Sequence, residues 1–288
     1  MTIPCNVPRP TPSRWRALLA TGALVGLTAC AGPQGMTPAP LSADQIAGML
    51  AQPDRSDADR VNDRRRKPLE MLGFIGVRPG MVALDLSAGG GYTTELLARS
   101  VGPTGRVYGQ SAPRVVRTPP AQPEGMASPG SAPAPAATAP RPSPVALAAR
   151  AQNPAAGNIV AVVQPFEAPV PAEVAQGRLD LVTLMFNYHD LGHLGVDRDA
   201  MNHAVFAALK PGGLYVIADH AGRAGTGISE AGTLHRIDEA FLRAEVARAG
   251  FRLAGEGSFL RNPADPRDRN TPEPPQPKDE FVLKFVKP

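Results

Sequence analysis

The chain has 288 residues, two cysteines, one tryptophan and a formal net charge of +4, a length that suits one doubly wound α/β domain with additions. Arg9, Arg14 and Arg16 carry most of that positive excess. The remainder lacks the basic surface that binding nucleic acid demands, so no nucleic-acid partner is expected. The three arginines precede an apolar stretch at 17–29. As a helix it would span about 20 Å against a bilayer core of ~30 Å, so residues 1–29 read as a signal peptide and not as a membrane span.

The succession Leu27-Thr28-Ala29-Cys30 resembles the lipobox of bacterial lipoproteins. The resemblance implies that Cys30 is lipidated and becomes the first residue of a membrane-anchored protein facing the periplasm. Cys5 leaves with the signal, so the mature chain has no pair of cysteines to oxidise. Residues 30–41 are expected as a flexible tether, and 42–288 as the domain proper. The alternative, translation from Met36, makes the protein cytoplasmic.

The first strand is expected at 82–86, at the head of "VALDLSAGGGYTTELLA" (82–98), after the turn signal Arg78-Pro79-Gly80. A helix follows at 92–100, stopped by "GPTG" at 102–105. Gly89, Gly90 and Gly91 therefore occupy a strand-to-helix turn, where open parallel sheets bind ligands against a helix N-terminus and bare backbone lets N–H groups approach. A plain flexible turn is the open alternative. The dinucleotide spacing GxGxxG fails at Thr94. A second strand is expected at 106–108. Residues 111–142 are Pro/Ala-rich with almost nothing large and apolar to bury, and are expected as a disordered insertion. Ser143 is expected to cap a short helix with Pro144 at its first position, leading to a strand at 158–163. Further strands fall in "RLDLVTLMFNYHDL" (178–191) and "ALKPGGLYVIADHAG" (208–222), and a closing pair in 251–288.

The spacing Asp85-x-x-x-Gly89-x-Gly91 resembles motif I of the class I S-adenosylmethionine (SAM) dependent methyltransferases. Lys210-Pro211-Gly212-Gly213 looks like that family's turn before its fifth strand, and the end of the chain like its closing antiparallel pair. More narrowly, "NYHD", "DHAG" and "TLHRIDEAFLRAEVARAGF" resemble a group of bacterial predicted methyltransferases, often exported. The resemblance implies an α/β, Rossmann-like, doubly wound and mostly parallel sheet with an antiparallel C-terminal strand pair. It further implies SAM as cofactor, a small-molecule methyl acceptor, and cofactor contacts from Asp85, Ser87, Ala88, Gly89, Gly91, Tyr92, Gln110 and Asn187. Ser87 stands where the family usually has glycine. Gln110 falls where an acid usually grips the ribose hydroxyls, and a neutral amide makes the weaker bond.

Polar residues gather at the expected C-terminal ends of strands: Asn187, Tyr188, His189 and Asp190, then Asp219 and His220. His189 or His220 suits a general base for the acceptor, since imidazole titrates near neutrality. Asp190 and His235 complete the catalytic candidates, His235 following a glycine-rich loop at 221–233 that either closes over a substrate or merely connects. His189 and Asp190 read equally as helix caps. Asp238 reads as an N-cap inside an Ile237/Leu242 staple, and His203 as structural. A rival chemistry is a divalent-metal hydrolase using His189 and His193 at i, i+4 with Asp190 and His220. Gly192 and Gly195 make that stretch a poor helix, and no bound metal is expected. A third reading is a tethered, non-catalytic ligand-binding protein.

Overall fold

The computed structural model describes residues 1–2, 38–113, 141–272 and 276–288. All described secondary structure falls in the compact unit Pro38–Pro288. Residues 3–29 of the expected signal, Cys30, Met36 and most of the tether lie outside the described residues, as do 114–140 of the expected insertion. At the tether's end, Leu41 N donates to Val77 O at 2.9 Å and its side chain packs on the core, so the domain begins slightly before residue 42. Among the described residues no helix is long and apolar enough to cross a membrane.

Three short helices come first: α1 (Ala43–Leu50), α2 (Asp57–Arg66) and α3 (Pro68–Ile75). A reciprocal Ser42/Gln45 capping box starts α1. Acids open α2 and Arg64, Arg65 and Arg66 close it, in the sense that the helix dipole favours. Next come β1 (Val82–Leu86), α4 (Tyr92–Val101), β2 (Arg106–Ser111), α5 (Ser143–Arg150), β3 (Ile159–Val163) and β4 (Leu179–Met185). The chain continues through α6 (Tyr188–His193), α7 (Arg198–Ala208), β5 (Leu209–His220), α8 (Ala231–Leu234), α9 (Glu239–Arg248), β6 (Arg252–Gly257) and β7 (Glu280–Val286).

The strands form one sheet in the order β3-β2-β1-β4-β5-β7-β6. The first five run parallel, and β7 inserts antiparallel between β5 and β6, which is the expected closing pair. Strand alternation sends Leu84, Val182, Ile217 and Leu283 to one face, in the core with Met201 and Val205 of α7 and Leu242 and Val246 of α9. It sends Ala83, Leu181, Val216 and Val282 to the other, in the core with Leu72 of α3, Leu97 of α4 and Leu147 of α5. Both faces are covered, so the parallel strands are nearly all apolar.

Four local expectations are corrected. Strand β2 runs on to Ser111, which pairs with Val163, so Gln110 lies within the strand and not beyond it. Ser143 lies inside α5 and caps nothing, because Pro142 holds the cap position. Leu209 already pairs with Leu179 before Lys210–Gly213 bulges out, so these residues interrupt β5 instead of preceding it. Tyr188–His193 does form a helix, and Gly195, at φ 72°, follows its end. Asp238 is the expected cap of α9: its carboxylate accepts from Ala240 N at 2.9 Å, with Ile237 and Leu242 fully buried beside it.

Candidate functional site

The site lies along the C-terminal edge of the sheet, where β1, β4 and β5 end and β7 begins. Strand β1 leads into the glycine turn. Gly89 and Gly91 take φ of 54° and 82°, a left-handed backbone that glycine adopts without strain. A Cβ on Gly91 would come within 2.7 Å of Leu147 and Arg150, so α5 presses on the inner side of the turn. The outer side is open: a Cβ on Gly90 would meet nothing within 4 Å. Among the described residues no acceptor takes the amides of Gly89 or Gly90. Bare donors facing open space are what an anionic or strongly polar ligand uses.

The side chains around the turn are tied to the scaffold. Asp85 is buried, and its two carboxylate oxygens accept from Thr94 Oγ1 at 2.6 Å and Thr183 Oγ1 at 2.8 Å. Burial pushes its pKa up to about 6, against those two hydrogen bonds. It joins β1, α4 and β4, and it faces no opening. Gln110 is equally engaged: Oε1 accepts from Ser87 N at 3.0 Å and Nε2 donates to Gln164 O at 2.7 Å, with the residue fully buried. The expected ribose contact is therefore spent on bracing the turn. Ala88 N donates to Gln110 O at 2.8 Å, and the Tyr92 hydroxyl donates to Asp63 at 2.8 Å.

From Ser87 a chain of polar contacts crosses the sheet. Ser87, at φ 54°, donates from Oγ to Asn187 Oδ1 at 2.6 Å. Asn187 Nδ2 donates to Asp190 Oδ2 at 2.8 Å. The other oxygen of Asp190 lies 3.1 Å from His189 Nε2 and 2.9 Å from His235 Nδ1. His189 is held from behind. Its Nδ1 is 2.6 Å from Asp219 Oδ1, and its backbone N–H donates to Asp219 Oδ2 at 2.8 Å, with Asp219 completely buried. Although burial works against a charged ring, the hydrogen bond to Asp219 and the charges of Asp219 and Asp190 raise the His189 pKa.

His235 arrives from the opposite side at the end of α8, in left-handed backbone of φ 51°. Its neighbour Arg236 is fully buried, bonding Asp265 through both terminal nitrogens and Ala221 O at 2.9 Å. The glycine-rich loop before it is tied down as well, Gly225 N donating to Asp238 at 2.7 Å. One donor atom from each of His189, Asp190 and His235 lies within 4.8 Å of the others.

The other histidines singled out in the sequence are not part of this cluster. His220 lies against His189 with ring centroids 5.4 Å apart and planes tilted by 44°, and burial pushes its pKa down to about 3. Its Nδ1 lies 3.0 Å from Glu280 Oε1 without the alignment of a hydrogen bond, and burial lifts Glu280 to about 7. His193 is exposed and faces Gly232, and among the described residues it does not join His189 and Asp190 in a ligand cluster, so the His189/His193 pair of the rival metal reading is not found. His203 sits on the outer face of α7, bonded to Asp199 O.

Sequence reasoning missed Arg66. Its guanidinium lies 3.8 Å from the Phe186 ring centroid and, among the described residues, pairs with no carboxylate. Burial, then Arg65, lowers it to about 10. The run Arg64-Arg65-Arg66 at the end of an otherwise acid-flanked helix was the available signal. The anchoring role of Asp219 was also missed, because nothing in the sequence says that β4 and β5 are neighbours.

No protein-family model and no curated protein matches the sequence. Solved structures do match. A SAM-dependent methyltransferase from Aquifex aeolicus is 16% identical with a TM-score of 0.52, covering 86% of this chain and all of its own. A TehB-like SAM-dependent methyltransferase from Corynebacterium glutamicum is 16% identical with a TM-score of 0.44, over 80% and 98% of the two chains. The fold is that of the class I SAM-dependent methyltransferases.

Proposed function

We propose that the protein is a SAM-dependent methyltransferase acting on a small-molecule acceptor, exported as a lipoprotein and held on the periplasmic side of a membrane through Cys30. The observation that carries the catalytic reading is the chain of polar contacts from Ser87, at the start of the open glycine turn, to the His189, Asp190 and His235 cluster. One end suits a cofactor and the other handles protons.

SAM, when bound, supplies an electrophilic methyl group on its sulfonium. Gly89 and Gly90 offer it free amides and room, and Arg66 offers a positive charge for its carboxylate. Asp85 and Gln110 shape this seat from beneath without touching a ligand. On the acceptor side, Asp219 fixes the His189 ring, and the cluster takes up the acceptor's proton as its heteroatom becomes a nucleophile. Holding the two reactants together supplies much of the acceleration.

A second reading, a ligand-binding protein without turnover, is favoured by Gln110, whose engaged amide leaves the ribose without its usual grip. Calorimetry with SAM and its demethylated product tests the first requirement. The wild type is expected to bind both. Gly90→Ala is expected to keep the wild-type melting temperature, since its methyl meets no protein atom, and to lose at least about tenfold in affinity, since that methyl enters the ligand's space. Unchanged affinity in a folded Gly90→Ala would reduce the glycines to a turn. Binding without methylation of any acceptor offered would favour the second reading.

A further inference from the structure

We propose that His189, Asp190 and His235 form a binding site for a divalent transition cation of the Zn²⁺ class. Two imidazoles and one carboxylate converge with one donor atom each inside 4.8 Å, and two of the separations are 3.1 and 2.9 Å. Tetrahedral Zn²⁺ with bonds of about 2.0–2.1 Å holds its ligand atoms roughly 3.3 Å apart, so each imidazole already stands within a few tenths of an ångström of that spacing from Asp190, and the two imidazoles need only close on each other from within 4.8 Å.

Three further features fit a metal centre better than a hydrogen-bonded patch. The first is the support behind His189. A liganding imidazole donates its second nitrogen to a carboxylate or carbonyl, which fixes the tautomer and leaves a lone pair on the metal-facing nitrogen. Asp219 stands 2.6 Å from Nδ1, and with the proton held there the lone pair is on Nε2, the nitrogen 3.1 Å from Asp190. Asp219 is itself immobilised, accepting from the backbone of both His189 and His220.

The second is the backbone. His235 is a non-glycine residue in left-handed conformation, held there by the buried Arg236–Asp265 pair one residue on. Strain of that kind persists where the surroundings enforce a position for a side chain. The third is asymmetry of exposure. The His189 side chain is 3% exposed, whereas Asp190 and His235 are 29% and 43% exposed. The ion would have a buried wall, an open side for entry, and a free coordination position facing solvent, as catalytic and not structural zinc sites have. Two nitrogens and one carboxylate select a transition ion over Mg²⁺, which prefers oxygen.

The site stands on its own geometry. Its consequence rests on the methyltransferase reading: the open position would take the acceptor's hydroxyl, thiol or amine, and the proton lost on coordination would pass to solvent. The cluster would then act on the acceptor's proton through the ion, with His189 as a ligand.

The test uses the untagged full-length chain, elemental analysis after purification, and calorimetric titration of chelator-treated protein with Zn²⁺ and, as a control, Mg²⁺. About one Zn²⁺ per chain is expected, raising the melting temperature reversibly, with no comparable response to Mg²⁺. His235→Ala, at a half-exposed position, is expected to melt as the metal-free wild type does while losing about 100-fold or more in Zn²⁺ affinity. Asp190→Asn should weaken binding in the same direction. Absence of Zn²⁺ uptake by the wild type, or uptake unchanged in both variants, overturns the proposal. SAM titrated into the same samples separates the two readings: Zn²⁺ held without SAM binding sustains the cation site and sinks the methyltransferase, whereas SAM bound without Zn²⁺ uptake does the reverse.

Discussion

At Asp85 a carboxylate with no charged partner touching it sits between two threonine hydroxyls. Its pKa rises from an ordinary 3.8 to about 6 in the folded protein. Between those values the folded chain holds a proton that the unfolded chain has released, so folding is favoured at low pH and this contribution is lost as pH rises through about 6. Asp85→Asn should therefore flatten the difference in stability between pH 4 and 7. It should also be at least as stable as wild type at pH 7.5, by up to about 2–3 kcal/mol. An amide satisfies both hydroxyls, since threonine donates or accepts. Urea titrations of both proteins across that range check it, and a variant that is less stable at pH 7.5 would assign the carboxylate a role other than bracing. The Asp85-to-glycine spacing was legible in the sequence, as was the strand-to-helix turn, because both are local. What Asp85 and Gln110 touch was not, because Thr183 and Gln164 enter only once β4 and β3 take their places in the sheet.

Among the helices, α5 has an influence beyond its length. Arg150 at its end donates to Gly90 O at 2.6 Å, to both oxygens of Asp59 at 2.7 and 2.9 Å, and to Glu95. One guanidinium thus joins α2, α4, α5 and the glycine turn. Burial opposes ionisation of Asp59, yet the bond to Arg150 wins and holds its pKa below the usual value. Arg150→Ala would leave two mostly buried carboxylates facing each other and should cost about 2–4 kcal/mol, less than a fully buried pair because the arginine remains 20% exposed. It should also weaken SAM binding by freeing the turn. Arg150→Lys keeps the charge but not the fork, and is expected to fall between the two. Thermal melts and calorimetry on the three proteins measure both effects; a fully stable Arg150→Ala would remove the helix from the architecture of the turn. The existence of α5 could be read from Pro144 in its first turn, although Ser143, expected as its cap, lies inside the helix. Its grip on Gly90 could not, since Arg150 is 60 residues distant in sequence.

For the whole molecule, the strand succession was legible because apolar runs bounded by turn residues repeat along the chain, and the antiparallel finish was legible only through the family resemblance. The proposed address is tested at the same scale. Lipid at Cys30 should place the wild type in the membrane fraction and Cys30→Ser in the soluble periplasm, because several acyl chains anchor stably where one binds only marginally. A soluble wild type with its N-terminus at Met36 would overturn the address without touching the fold.

The strand order has a further consequence, for the time course of assembly. Asp85 and Thr183, bonded partners on the adjacent strands β1 and β4, are 98 residues apart in the chain, and Ser87 and Asn187 are 100. Closing loops of that size precedes any reward from the contacts they permit, and chains dominated by such pairings fold slowly. No contiguous fragment ending before β4 contains both halves of the site. Ligand competence should therefore emerge with the slowest refolding phase, making bound ligand a reporter of completed topology and not of early helix formation.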